Sequence, residues 1–351
     1  MKLVVAGGGT GGHFFPALAI LMEARERKVD TFFVGSLRGI ERSMEGEIPG
    51  EKAFLELYPF RRVSIKERWY ALKSYWKSAK EINSRLRGPF ASILLGGYVS
   101  VPTGITSAVK RQPLFIHEQN SVPSMTNRSF SLIAKKVFIT FEHTKRYFRG
   151  RHVVKTGLPV RKDILDVKIS KENARSLLGF EGSPVVLFMG GSQGAKFLNT
   201  LALDFAKKTG ANTLLLSGIK DYERVKKLGD GIENLKIFPF RTDMANIYSA
   251  TDVAVCRAGA GTLTELSLFG VPAVMIPFPY AAGDHQMWNA LEIENLGGGI
   301  TVPQEEATTE SVISAVDRII KSHGDYSSSV SNFAVKEASS RVLDEILEDL
   351  G

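Results

Sequence analysis

The stretch Lys2-Leu3-Val4-Val5-Ala6, followed by Gly7-Gly8-Gly9-Thr10-Gly11-Gly12-His13, decides the fold. A short apolar run rich in β-branched residues suits a strand buried on both faces of a sheet. The glycines supply a sharp turn, and the apolar residues from Phe14 to Met22 then begin a helical pattern that Pro16 helps to start. Strand, glycine turn and helix together open a βαβ unit.

Working outward, the same pattern recurs at Thr31 to Val34, Ser92 to Leu95, Leu114 to His117 and Val137 to Thr140. It restarts at Pro184 to Met189 and continues through Thr213 to Ser217, Lys236 to Phe238, Asp252 to Cys256 and Ala273 to Ile276. Two doubly wound α/β domains follow, and 351 residues is a length that fits two. The segment Val153 to Asp163 contains Gly157 and Pro159 and is read as the boundary. That places a linker near residue 160 and domains at 1–160 and 161–329. The end of the chain, about Ser329 to Leu350, sets Val335, Ala338, Val342, Ile346 and Leu350 on one helical stripe, expected to pack on its own protein.

A composition of 44% apolar and 23% charged residues excludes a disordered or coiled-coil chain. No apolar run approaches the ~18 residues that cross a bilayer. The first residues break into glycines before a signal-peptide core forms, and the single cysteine, Cys256, makes no internal disulfide. Both features are read as marks of a reducing cytoplasm. The net charge of +8 divides unevenly: residues 1–160 carry 26 Lys+Arg against 12 Asp+Glu, and the remainder 19 against 25. A basic first half suits nucleic acid, an anionic membrane surface or a polyphosphate ligand, and charge alone does not choose.

Three strands end in glycine clusters, at Gly7 to Gly12, Gly96-Gly97 and Gly190 to Gly194. Such turns let backbone amides approach phosphate oxygens at the positive end of a helix. The first also matches GxGxxG, but the second strand ends in Gly35-Ser36, with no acidic residue there to hold the ribose of a nicotinamide dinucleotide. No GKS or GKT completes a Walker loop. His13, beside a helix N-terminus, is read as a neutral proton acceptor near a bound anion. His117-Glu118-Gln119-Asn120 is read as a polar site for a sugar-sized ligand or as a satisfied network between loops. In the second half, Cys256-Arg257-Ala258-Gly259-Ala260-Gly261-Thr262-Leu263-Thr264-Glu265 runs from strand to helix. Its amides suit a pyrophosphate and Glu265 suits ribose hydroxyls. Asp284 to Asn289 offers further sugar-binding groups. No DxD triplet or metal-spaced His/Cys cluster occurs, so neither a metal nor a cofactor is expected.

Seven strings in order, GGGTGGHFFPALA, GGYVSVP, HEQNSVPSMTN, GLPVR, GGSQGA, CRAGAGTLTE and DHQMWNA, span nearly the whole chain. Together they resemble the MurG family, the bacterial lipid II synthases. Val101, Ser124, Leu158 and Ala258 depart from that pattern. The resemblance implies the GT-B fold, two Rossmann-like domains with an interdomain cleft, and a C-terminal helix at 330–351 that returns to the first domain. It implies transfer of N-acetylglucosamine from UDP-GlcNAc to the MurNAc 4-hydroxyl of lipid I, with inversion. On this footing Ser192 contacts phosphate, Arg161 lies beside the donor, and Arg241 holds uracil through its backbone. Ala260, Gly261, Thr262, Leu263, Thr264 and Glu265 take the nucleotide, while Gln286 and Asn289 bind the sugar. Thr10, Gly11, Gly12 and Asn120 complete the donor site from the first domain. His13 is the implied general base and Glu118 its runner-up.

A lipid-linked acceptor calls for contact with an anionic membrane surface at the cytoplasmic face of the inner membrane. The expected surface is Arg61 to Lys80, with Lys66, Arg68, Lys73 and Lys77 around a stripe of Ile65, Trp69, Leu72, Trp76 and Ala79. The alternative is that this stripe faces the core. Two other functions stay open: a nonhydrolysing UDP-GlcNAc 2-epimerase, and a basic module for nucleic acid or membrane. Nucleic acid is the less expected partner, since the aromatics form no RNP-like or helix-turn-helix pattern.

Overall fold

The computed structural model describes residues 1–59, 64–182, 184–191 and 194–351, with the backbone alone of Ile65. Ser192, Arg61, Arg62 and the Ile65 side chain therefore lie outside the described residues. The chain divides into two compact units, residues 1–161 with 337–351, and residues 162–336.

In the first unit the strands are β1 (Lys2–Ala6), β2 (Thr31–Ser36), β3 (Glu51–Leu55), β4 (Phe90–Leu94), β5 (Leu114–Glu118), β6 (Lys136–Ile139) and β7 (Val153–Lys155). They form a seven-stranded parallel sheet in the order β3-β2-β1-β4-β5-β6-β7. Val4 is registered against Phe32 on one side and Ser92 on the other. Side chains of β1 alternate between two cores. Val4 and Ala6 pack with Ala71, Tyr75 and Ile82, whereas Leu3 and Val5 pack with Phe14, Leu18 and Leu21. Each large apolar side chain so buried contributes about 1.5–3 kcal/mol. Strand order reverses between β1 and β4, and ligands of open α/β sheets bind beyond the strand ends at such a point.

The second unit repeats the plan with β8 (Val185–Met189), β9 (Asn212–Leu216), β10 (Leu235–Phe238), β11 (Val253–Cys256), β12 (Ala273–Met275) and β13 (Gly299–Thr301). This six-stranded parallel sheet has the order β10-β9-β8-β11-β12-β13, reversing between β8 and β11.

Three expectations change. The helix after the first glycine loop is Gly11–Glu26, so Pro16 lies inside it and His13 sits in its first turn rather than before it. The C-terminal stripe is not one helix: His323–Ser331 and Ala338–Glu348 are separate, and Val335 lies between them. The chain passes from one unit to the other at Lys336/Glu337, and one continuous helical register cannot serve two separate cores. Ala338–Glu348 packs its Val342, Leu343 and Ile346 into the first unit. There Asp344 pairs with Arg27, and Glu345 lies 2.7 Å from Lys136.

The third change concerns the helix Ile65–Arg85. A capping box starts it: Ser64 Oγ accepts from the Glu67 amide, and the Ser64 amide donates to Glu67 Oε2 at 2.7 Å. The Ser64 hydroxyl, which donates to Oε2 at 2.7 Å, and then the Ser64 amide hold the Glu67 carboxyl below its ordinary range. Its buried face is Ala71, Tyr75, Ala79 and Ile82, one step round from the stripe read in the sequence. Trp69 is 72% exposed, Trp76 55% and Leu72 45%, and Lys66, Arg68, Lys73 and Lys77 are exposed around them. The core-facing alternative for those three residues is thus overturned; among the stripe's described side chains, Ala79 alone is buried.

Candidate active site

Each unit gathers its chemistry-bearing residues at the C-terminal ends of its own strands. In the first unit, Gly9 takes φ +80°, a left-handed conformation open to glycine, and so delivers Thr10 in extended backbone as the N-cap of Gly11–Glu26. No side chain caps that helix. Amides of its first turn, at Gly11 and Gly12, have no intrahelical acceptor and carry the positive end of the helix dipole. Thr10 and Gly12 are exposed, and Gly11 and His13 half-buried. Thr10 Oγ1 lies 3.2 Å from His13 Nδ1. The imidazole rests against the second glycine turn: a Cβ at Gly97 would stand 3.3 Å from Nδ1, and one at Gly96 3.4 Å from Nε2. Arg161 stacks its guanidinium 4.8 Å from the centroid of the Phe15 ring on the same helix.

The His117–Asn120 segment is mostly a satisfied network. His117, Glu118 and Gln119 are buried, and only Asn120 reaches the surface in part. His117 Nε2 lies 2.9 Å from the Gly157 carbonyl, and burial pushes this imidazole down to about 4. It is neutral and structural. Glu118 accepts from the amides of Asn120 at 3.1 Å and Ser124 at 3.0 Å, and from Asn127 Nδ2 at 2.8 Å. Burial raises its pKa against those bonds. A carboxylate so enclosed shapes the segment that carries Asn120, Ser124 and Asn127.

Sequence reading missed Glu41. It lies on the short helix Ile40–Ser43 after β2, fully buried, and its carboxylate accepts from the amides of Gly9 and Ser36. A lone glutamate in a four-residue helix has no periodic signal.

In the second unit, the helix Ala260–Leu268 follows β11 with Gly259 as its N-cap and no side-chain cap. The amides of Ala260, Gly261 and Thr262 therefore open its positive end. A Cβ on Gly261 would meet nothing within 4 Å, so the approach there is clear. Leu263 and Thr264 are buried, and only their backbone and the unpartnered Thr264 hydroxyl remain as contributions. Glu265 is half-buried, and its Oε2 accepts from the Tyr248 hydroxyl at 2.7 Å. Burial, with the Glu265 charge beside it, pushes that phenol well above its ordinary range and keeps it a donor. Tyr248 thus orients Glu265, a role that sequence reading did not assign. Arg241 is engaged bidentately with Asp243, at 2.8 and 2.6 Å, and stacks over Phe238, which leaves its backbone for a ligand.

Arg257 was likewise unassigned. Only 9% exposed, it donates to the carbonyls of Ile276 and Pro277 and to Gln304 Oε1, tying three loops together. Gln286 is half-buried, and its Oε1 accepts from the Phe278 amide at 2.9 Å. Asn289 is fully buried and donates to the Ala258 carbonyl at 3.0 Å. It braces the β11 turn. Gly194, at φ +71°, passes where a Cβ would stand 2.2 Å from the Ser217 carbonyl, closing the β8 turn onto β9. Among the described residues no group of His, Cys, Asp and Glu could hold a metal ion, and no helix is long and apolar enough to cross a membrane.

Residues 3–139 match the Glycosyltransferase family 28 N-terminal domain and residues 185–342 the Glycosyltransferase family 28 C-terminal domain. Over 348 residues the chain is 45% identical to the UDP-N-acetylglucosamine--N-acetylmuramyl-(pentapeptide) pyrophosphoryl-undecaprenol N-acetylglucosamine transferase of Aquifex aeolicus (strain VF5), covering 98% of this chain and 99% of that one. It is 33% identical to the protein of the same name from Bacillus subtilis (strain 168), covering 100% and 99%. The crystal structure of Acinetobacter baumannii MurG superposes with a TM-score of 0.78 at 26% identity, covering 99% of each chain.

Proposed function

The chain belongs to glycosyltransferase family 28, and from that premise we propose that it moves N-acetylglucosamine from UDP-GlcNAc to the MurNAc 4-hydroxyl of lipid I. The two doubly wound units are those of a GT-B fold. The observation that carries the reading is the second unit's uncapped helix Ala260–Leu268 with Glu265 fixed a turn further on by Tyr248. Open amides suit a diphosphate, and an oriented carboxylate at that distance suits a ribose.

In this reading the second unit holds the donor. Amides of Ala260, Gly261 and Thr262 take charge as the diphosphate leaves, Glu265 accepts from ribose hydroxyls, the Arg241 backbone meets uracil, and Gln286 the sugar. Ser192 and Arg161 are further donor contacts. From the first unit, Thr10, Gly11, Gly12 and Asn120 approach the reacting sugar, and His13 accepts the proton of the attacking hydroxyl. Displacement at the anomeric carbon forms the new C–O bond, expels UDP and inverts the linkage from α to β. Thr10 Oγ1, 3.2 Å from His13 Nδ1, steers the imidazole so that Nε2 can serve as the base.

Lipid I is membrane-bound, and the surface that suits it is Trp69, Leu72 and Trp76 ringed by Lys66, Arg68, Lys73 and Lys77. About 1 kcal/mol for each basic residue near anionic lipid, added to about 1.5–3 for each large apolar side chain inserted, supports reversible peripheral binding at the cytoplasmic face. Reversing the charge of the four basic residues is expected to abolish sedimentation with anionic vesicles; unchanged sedimentation would remove this surface from the account.

The reaction itself is tested by incubating labelled UDP-GlcNAc with and without lipid I. Label is expected in lipid only when lipid I is present. Epimerised nucleotide without acceptor would instead identify a 2-epimerase. His13→Ala is expected to lose about a hundredfold or more in turnover at saturating substrates; near-normal turnover would move the base elsewhere.

A further inference from the structure

The buried carboxylate beneath the first glycine loop is the group that this mechanism leaves unused. Glu41 is 0% exposed, and no basic side chain pairs with it among the described residues. Its bonds are backbone amides: Ser36 N donates to Oε1 at 2.8 Å, and Gly9 N lies 3.0 Å from both oxygens. Glycines make the room. A Cβ at Gly8 or Gly39 would stand 2.1 Å from a carboxylate oxygen, and one at Gly35 2.9 Å from the Glu41 Cγ. A buried anion is costly unless its oxygens are satisfied, and here two loop amides satisfy it.

Two consequences follow for the first loop. The Gly9 amide already has an anion, so an external phosphate would have to displace Glu41 and sit against its charge. Further, Gly9 at φ +80° immediately precedes Thr10, the N-cap whose hydroxyl lies 3.2 Å from His13 Nδ1. Whatever fixes Gly9 also fixes the entry angle of the helix that presents His13.

We propose that Glu41 is a positioning residue: its carboxylate holds the Gly9 amide, and through Gly9 it sets Thr10 and His13 for proton removal from the acceptor. The assignment of His13 rests on the transferase reading, whereas the Glu41–Gly9 anchor does not.

Two measurements separate the two ideas. In the unaltered protein, amide hydrogen exchange should find Gly9 protected although its loop is half exposed, and Gly12, in the same turn, fast. Equal exchange at Gly9 and Gly12 would overturn the anchor whatever the enzyme does. In the transfer assay, Glu41→Asp keeps the charge but withdraws it by one methylene. It should lower kcat about tenfold or more while KM for UDP-GlcNAc changes less than about threefold. Glu41→Gln, which retains an acceptor oxygen for both amides, should recover most of kcat. A kcat for Glu41→Asp equal to that of the unaltered enzyme would overturn the positioning role. So would a parallel loss in kcat and donor affinity that Glu41→Gln does not relieve. Should the unaltered protein transfer no sugar, the functional reading falls while the exchange experiment still decides the anchor.

Discussion

Two strand-to-helix turns, after β1 and after β11, solve the same backbone problem with opposite charges beneath them. Under the first lies Glu41, which takes the Gly9 amide for itself. Under the second lies Arg257, whose three acceptors are all neutral, and whose pKa burial draws down. A buried cation without a carboxylate partner favours an anion arriving from outside, next to helix amides that are still open. Glycine-rich turns look alike in sequence, yet one has its Gly9 amide taken by an internal anion and the other has a buried cation beside it.

The largest effect that would break this comparison comes from two matched substitutions. Gly8→Ala drives a Cβ to 2.1 Å from Glu41 Oε1 and is expected to cost about 3 kcal/mol or more in urea titration. Gly261→Ala adds a Cβ where nothing lies within 4 Å, so stability should hold while UDP affinity falls about tenfold by calorimetry. If both turns respond alike, they are not functionally different.

Next in size is Arg257→Met. The substitution leaves the Ile276 and Pro277 carbonyls and Gln304 Oε1 without their donor, so the melting temperature should fall. UDP binding should weaken about tenfold or more, a loss visible in the same calorimetry. A destabilised variant with normal UDP binding would make Arg257 a loop tie only.

The smallest expected effect contrasts a buried imidazole of the first unit with a partly exposed carboxyl of the second. His117, held near 4 by burial, binds its proton more weakly folded than unfolded. Its contribution is full above its unfolded pKa, near 6.5, and is lost as pH falls from there toward 4. The stability gap between the unaltered protein and His117→Gln should therefore be widest near neutrality and close on acidification. In the second unit, Arg224 beside Asp221 holds that carboxyl down to about 2, so its contribution persists until pH drops below the ordinary carboxylate range. A gap that widens as pH falls would contradict the neutral, buried assignment of His117.

Central strands were legible because both faces of each are covered, which leaves a continuous apolar run such as Val185–Met189. The strands missed, β3, β7 and β13, all lie at sheet edges. An edge strand can be short and polar, and Glu51–Leu55 begins on two charged residues while Gly299–Thr301 begins on glycine. Val153–Lys155 was absorbed into the linker by the Gly157 and Pro159 that follow it. At the site, motif order led to His13 and Glu265, which lie in the helices that follow β1 and β11. Glu41, Tyr248 and Arg257 escaped because their significance is a contact with a residue distant in sequence, and no local period encodes it. The helix Ile65–Arg85 shows the opposite difficulty: two apolar stripes share one segment, and only packing says which is covered.

The central claim is that the second turn, and not the first, receives the donor's diphosphate. Amide hydrogen exchange with and without saturating UDP tests it directly. The account predicts new protection at Ala260, Gly261 and Thr262, with Gly8 and Gly9 exchanging as in the free protein. Protection that appears at Gly8 and Gly9 while 260–262 stay unchanged would contradict it.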